Sequence, residues 1–358
     1  MDMLASSQSS PEQLRDRHQA LIAAGSRMRM RDAAETLGVA EGVLLAAYVG
    51  RTVTALKPAF AEILGAVGSL GRVMALTRNA HCVHERKGVY RNLSFNGGIG
   101  LAVDKDIDLR LFMFDWSSAF AQVEPREGGA ARSLQFFDSH GEAIHKIHLL
   151  SESDVAAFDR LVSEFAAPEQ QADLAVTAAT SGDGADPAAI PEGFDSGQFR
   201  ADWDALKDTH DFFPLLKRYG LERLAAFRAA GPARATRVDR LAHRAVLEAA
   251  RAGELPIMAF VGNRSCIQIH TGPVKNLRAM GPWFNVLDPG FNLHLREDRI
   301  ASAWVVRKPT ADGVITSLEL FDAEDEIPTS LSRPRTRAPV APKSRVRPAA
   351  RAWAHRHF

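Results

Sequence analysis

Two stretches of the chain are dominated by short apolar runs that alternate with polar positions, and two others by helical spacing. LQFFD at 134–138, SLELFD at 317–322, IDLRLFMF at 107–114, FNLHLRE at 291–297, IASAWVVRK at 300–308 and PIMAFVG at 256–262 are rich in Val, Ile, Leu and Phe. Runs of this length and composition predict strands. Asn96-Gly97-Gly98, Glu127-Gly128-Gly129 and Ala311-Asp312-Gly313 supply the residues that tight turns between strands need. Ahead of each group, Ala, Leu, Glu and Arg recur at helical spacing, from Pro11 to Val49 and from Phe199 to Ala252. The expected order is helices then antiparallel meander, twice.

That doubling is visible residue by residue. Shifted by 184 positions, Met74–Glu142 matches Met258–Glu326 without a gap, with twenty identities that include Asn79, Cys82, Gly88, Asn92, Gly97, Asp104, Pro125, Ser133, Phe137 and Asp138. Ordinary residue frequencies would give about four. The fold class is therefore α+β, built as a tandem duplication. The expected division is 1–168 for the first repeat and 169–196 for a flexible linker rich in Ala, Gly, Asp and Pro. The second repeat follows over 197–327, and 328–358 forms a tail.

Composition narrows the class. The 358 residues are 46% hydrophobic and 24% charged, ample for a core. The net charge of +1 hides a split: from Pro328 onward there are eight Lys and Arg and no acid, leaving 36 basic against 43 acidic residues elsewhere. An acidic body argues against general nucleic-acid affinity. No window of about 18 apolar residues free of charge exists, and MDMLASSQSSPEQ lacks the order of a signal peptide, so a cytoplasmic protein without membrane insertion is expected. The two cysteines, Cys82 and Cys266, are repeat equivalents and read as core positions rather than a redox pair.

Chemistry is sought where the copies diverge. Arg110 in IDLRLF stands where the second copy has His294 in FNLHLR. His210, in DWDALKDTHDFFPLLKRYG, is expected on a helix running from about Phe199, on one face with Trp203 and Leu206, with Pro214 breaking the helix. A histidine flanked by Phe212 and Phe213 suits a flat apolar ligand with a coordinating centre; a partly buried or capping histidine is the plainer reading. His81 and His84 lie three apart on a strand and so face opposite ways, while His145 and His148 are expected to face solvent. No HExxH, GxGxxG after a strand, phosphate loop or GxSxG occurs. RDAAETLGVAEGVLLAAYVG at 31–50 has helix-turn-helix spacing, but Ala40–Tyr48 offers no Arg, Lys, Asn or Gln to a base edge, so a packing helix pair is the better expectation than a DNA-binding regulator.

WDALKDTHDFFPLLKRYGLERLAAFR, NRSCIQIHTGPVKNL, IASAWVVRKPTADGVITSLELFDAE and HCVHERKGVYRN with IDLRLF resemble the bacterial haemin-degrading factors, or haemin transport proteins, of the HemS/HmuS type, over about residues 10–327. The resemblance implies a cytoplasmic protein of haem uptake, with haem held in a cleft between two similar halves. It places the axial iron ligand on His210, the distal arginine on Arg110, and two cations near the haem propionates on Arg223 and Lys308. Phe212 and Phe213 would cover the porphyrin. The implied activity is oxidative opening of the haem ring with an external electron donor, and the alternative is a carrier that hands haem to a separate haem oxygenase. A haem-uptake transporter and a reductase are the implied partners. After Glu326 the sequence departs from the family, and its Arg, Pro and Ala bias resembles a shifted reading frame, so the tail is expected to be disordered, weakening the propionate side of the site.

Overall fold

In the computed structural model of the chain, the residues described are 9–25, 28–178, 189–324, 326–327 and 329–334. The first copy opens with helices α1 (Pro11–Ala23), α2 (Met30–Leu37) and α3 (Glu41–Ala46), followed by α4 (Phe60–Ala66) and, after its strands, α5 (Val155–Phe165). Its strands are β1 (Val53–Leu56), β2 (Val73–Arg78), β3 (Cys82–Gly88), β4 (Leu93–Asn96), β5 (Ile99–Val103), β6 (Asp108–Phe112), β7 (Trp116–Arg126), β8 (Gly129–Asp138) and β9 (Ala143–Leu149). The second copy has helices α6 (Ser196–Asp204), α7 (Phe212–Tyr219), α8 (Arg223–Ala230) and α9 (Ala242–Ala252). Its strands are β10 (Ala235–Val238), β11 (Ile257–Asn263), β12 (Cys266–Gly272), β13 (Leu277–Met280), β14 (Trp283–Asp288), β15 (Phe291–Arg296), β16 (Ser302–Thr310), β17 (Gly313–Phe321) and β18 (Ser330–Ser332). Strand β10 interrupts the helical stretch expected over Phe199–Ala252.

Local signals explain the helix ends. The Ser10 hydroxyl accepts the Gln13 N–H while the Gln13 side chain accepts the Ser10 N–H, a capping box with Pro11 in the first turn. Gly38 and Gly220 end α2 and α7 at φ +73° and +61°, the left-handed conformation that glycine adopts without strain. These matching glycines align α3 with α8 at an offset of 182. The same offset holds for β1 and β10, because Val53 lies opposite Gln122 and Ala235 opposite Val306. Helix α3 buries Glu41, Gly42, Leu44, Leu45 and Ala46, and Glu41 is ion-paired with Lys146. A buried helix cannot enter a DNA groove, so α2 and α3 are a packing pair.

The chain forms two compact units that cut across the sequence halves: residues 1–75 with 113–180, and residues 76–112 with 181–358. The first unit carries the antiparallel meander β1-β7-β8-β9. The second carries a nine-stranded antiparallel sheet ordered β10-β16-β17-β18-β11-β12-β6-β5-β4 and the antiparallel run of strands β3-β15-β14-β13. The reason for the regrouping is a reciprocal exchange of strands. Strand β6 of the first copy pairs with β12 of the second, Leu111 opposite Cys266, and β15 of the second pairs with β3 of the first, Leu295 opposite Cys82. Asn79 and Asn263 seal the exchange symmetrically. The Asn79 amide donates to the Gly262 carbonyl at 2.9 Å and the Asn263 amide to the Arg78 carbonyl at 3.0 Å.

Several sequence expectations change. Cys82 and Cys266 are core residues as expected, and burial pushes both thiols up, Cys266 to about 12. His145, expected in solvent, is buried because it alternates inward with Ile147 along β9; burial lowers it to about 3. The linker is not free over its first part: the Gln170 side chain bonds both backbone groups of Ala55, the Thr177 N–H donates to the Ser139 carbonyl at 2.8 Å, and Leu174 packs on the core. Residues 179–188 lie outside the described residues. The tail, expected to be irregular, begins with strand β18 between β11 and β17. Leu331 and Thr329 bury there, and the Thr329 hydroxyl donates to the Phe260 carbonyl, enough to order the segment. Residues 335–358, where the rest of the disorder expectation falls, lie outside the described residues.

Candidate functional site

All six residues singled out from the sequence belong to the second unit. His210 does not continue the Phe199 helix, because α6 ends at Asp204. It sits in a 3-10 turn over Thr209–Asp211, and Pro214 is the third residue of α7. A proline in a first turn removes an N–H that has no helical acceptor, so Pro214 helps to start a helix rather than break one.

The turn is set by Asp208. Its Oδ1 accepts the His210 backbone N–H at 2.9 Å and lies 2.6 Å from the imidazole Nδ1. A carboxylate oxygen is the acceptor there, so the neutral imidazole places its proton on Nδ1 and its lone pair on Nε2. The His210 side chain is 76% exposed, so that lone pair is open to a ligand.

Behind this turn lies a buried charge cluster. Phe212 is a core ring, 4.8 Å from Trp203 and 6.2 Å from Phe227 between centroids. The Lys308 ammonium sits 4.4 Å from its centroid and the Arg223 guanidinium 5.5 Å. Both cations are held by one carboxylate: Arg223 Nε donates to Glu319 Oε2 at 2.7 Å, and Lys308 Nζ to Oε1 at 2.7 Å, where the Ser317 hydroxyl also donates at 2.9 Å. Burial alone would raise the Glu319 carboxyl, but the charges of Arg223 and Lys308 hold it well below the usual carboxylate range. Burial lowers the Lys308 ammonium to about 8 despite its partner. Two cations on one anion leave the cluster one positive charge in excess, and Arg223 is its half-buried, outward member. Phe213, next in the chain after Phe212, is half-buried.

Arg110 lies on β6, half-buried, tied to Asp108 and to the Leu109 carbonyl, both through Nη1. Its Nη2 and Nε have no acceptor among the described residues. Burial raises the Asp108 carboxyl, and Arg110 offsets this. The structure thus gathers Phe212, Arg223 and Lys308 directly and places His210 two residues from Phe212, while Arg110 makes no contact with these four. His294, the repeat counterpart of Arg110, is occupied differently, with Nδ1 2.7 Å from Asn285 Oδ1. His81 pairs with Asp322 and His84 is buried against Phe291, so the two do face apart.

Glu319 and Asp208 were not singled out from the sequence. Glu319 had a signal: an acid between Leu318 and Leu320 in an otherwise apolar strand. Asp208 shows only as an acid two residues before a histidine.

Residues 38–165 and 220–330 each match the family described as the haemin-degrading HemS.ChuX domain, one match per copy. The chain is 40% identical over 295 residues to the haemin transport protein HmuS of Yersinia pestis, covering 82% of this chain and 84% of that protein; the Yersinia enterocolitica protein HemS gives 39% over the same length. Among solved structures, holo-PhuS, a haem-binding protein from Pseudomonas aeruginosa, superposes with a TM-score of 0.88 at 46% identity, covering 98% of this chain and 99% of that one. ChuS, described as an Escherichia coli haem oxygenase, gives 0.80 at 35%, covering 91% and 94%. This chain belongs to the haemin-degrading HemS/ChuX family.

Proposed function

We propose that this protein binds haem in the cytoplasm of a bacterium that takes haem up, and opens the porphyrin ring oxidatively to free the iron. The observation that carries the reading is His210, an exposed imidazole whose Nδ1 is committed to Asp208 so that Nε2 faces outward as a ligand. Haem fits the rest of the chemistry. Its two carboxylates suit a cluster with excess positive charge that Arg223 presents outward. Lys308 contributes from beneath, through Glu319 and Phe212, rather than as an open contact. Phe213 offers apolar surface near the ring, while Phe212 supports it from the core. Arg110 has guanidinium donors to spare, which would hydrogen-bond an oxygen ligand of bound haem.

Ring opening consumes dioxygen and electrons. No flavin or nicotinamide motif occurs in the chain, so the electrons come from an external reductant or a partner reductase, and a haem-uptake transporter is the upstream partner. One observation favours the carrier reading as well: a single protein ligand on an exposed turn leaves the iron easily exchanged. Purified haem complex given a reductant under air separates the two. Loss of the Soret band with released iron or a linear tetrapyrrole marks the enzyme; an unchanged spectrum with transfer to a haem oxygenase marks the carrier. His210→Ala deletes the iron bond and should convert the spectrum to a weakly ligated form with faster haem loss. Arg110→Ala should leave haem bound and change turnover, since it removes hydrogen bonds worth about 1.5–3 kcal/mol. An unaltered spectrum in the His210→Ala protein would move the ligand elsewhere.

A further inference from the structure

The duplication supplies an internal control for a cavity that the haem chemistry does not use. In the second unit a cavity of about 380 Å³ is lined by Leu224, Arg228, Arg237, Ser302, Trp304 and Asp322. Arg237 lies directly opposite Trp304 in the β10–β16 ladder, so both side chains are on one face of the sheet. Neither Arg228 nor Arg237 has an acidic partner among the described residues, and both are exposed.

At the corresponding place in the first unit there is no room. The matching positions are Gly42, Ala46, Ala55, Ser118, Phe120 and Asp138, and the chain's own residues 167–177 lie across them. The Ala167 N–H and the Gln170 amide donate to the Ala55 carbonyl at 2.9 and 3.0 Å, and the Ala55 N–H donates back to Gln170 Oε1 at 2.9 Å. Ala172 and Leu174 pack on the cluster containing Ala46, Ala55 and Phe120, and the Leu174 methyl comes within 3.1 Å of where a Gly42 side chain would begin. Val176 closes on Gly141 in the same way, and the Thr177 N–H ends the run on Ser139. A small-residue surface beside the β1 edge is thus a groove for a peptide strand with a leucine plug.

We propose that the second-copy cavity is the same groove left open for a partner: an extended, acidic segment of another protein, with an aliphatic side chain over Trp304 and carboxylates on Arg228 and Arg237. The substitutions carry the change of occupant. Ala46 and Ala55, which allow the chain's own peptide to lie flat, are replaced by Arg228 and Arg237; Gly42, the seat of Leu174, is replaced by Leu224, and Phe120 by another large ring, Trp304, so the apolar contact shifts onto Trp304. The chain's own residues 335–358 hold seven Lys and Arg and no acid, the opposite of the carboxylates that Arg228 and Arg237 suit.

The probe is a fluorescently labelled peptide of residues 168–178, PEQQADLAVTA, added to the full chain and followed by polarisation. Saturable binding is expected, at least fivefold weaker when Glu169 and Asp173 of the peptide become Gln and Asn, and at least tenfold weaker to Arg228→Glu/Arg237→Glu protein. Circular dichroism and haem titration of that variant should match the parent, as neither arginine touches the His210 turn or the Glu319 cluster. Absence of saturable binding, or equal binding to the variant, overturns the proposal. Displacement of the probe by a peptide of residues 335–358 from the parent protein would also overturn it, giving the groove to the tail. A protein that failed to bind haem would sink the proposed function without touching this result.

Discussion

Ser133 and Gln135 in β8, and Ser317 and Glu319 in β17, occupy the same places in the two copies. In the first copy the Gln135 amide donates to Ser133 Oγ at 3.0 Å and to Gln122 Oε1 at 2.8 Å, so its partners are neutral. In the second, the serine stays and the amide becomes a carboxylate. That single change demands cations, and they stand where the first copy has acids: Lys308 for Glu124 and Arg223 for Glu41. The lesson is that a duplicated core position was converted from a structural polar pair into a charged platform. The platform lies beneath the helix that follows His210.

The comparison breaks hardest at the carboxylate itself. Glu319→Ala should leave a buried ammonium unpaired and cost about 3–5 kcal/mol of stability, measured by urea unfolding. Glu319→Gln paired with Lys308→Met, which restores the first copy's amide and removes the buried ammonium, should recover most of that loss. If Glu319→Ala is as stable as the parent, the cluster is not held by this pair.

A second contrast lies in His145 and its counterpart Thr329, both buried. The folded-state value of His145, about 3, lies below the ordinary 6.5, so between these values the unfolded chain takes up a proton that the folded chain refuses. Stability contributed at neutral pH is therefore lost as pH falls from 6.5 towards 3, by up to about 1.4 kcal/mol per pH unit. His145→Thr, which gives the first copy the second's residue, should flatten that acid loss; a curve parallel to the parent's would refute the assignment.

The smallest effect concerns ligand charge. Lys308, lowered to about 8, loses its proton as pH rises through that value, and the cluster's excess charge goes with it. Haem affinity should fall severalfold between pH 7 and 9.5, whereas the affinity for haem dimethyl ester, which has no carboxylates, should stay level. Equal pH profiles for acid and ester would remove the cluster from carboxylate recognition.

Much of this was legible in the chain. The repeat, its strands and turns, the buried cysteines and the packing of α2 on α3 all follow from pattern and residue type. The exchange of strands did not, because the alternation in IDLRLF buries Leu109 and Leu111 equally well on β12 or on a strand of its own copy. Pro214 misled because proline suits a helix start as well as it ends a helix. Glu319 stood out in its strand, but its meaning depended on Arg223 and Lys308, 96 and 11 residues away. Only the fold brings those charges together.

The reciprocal exchange also sets a schedule for synthesis. Strand β3 finds its partner β15 only after about 200 further residues have been made. At ribosomal speeds of about 5–20 residues per second, its edge waits on the order of ten seconds or more. During that wait the nascent first copy exposes unpaired backbone of the kind that recruits neighbouring chains. Pairings so distant in sequence also slow the final closure. The duplicated chain therefore becomes safe from aggregation only when its second half has emerged and returned the strand it owes.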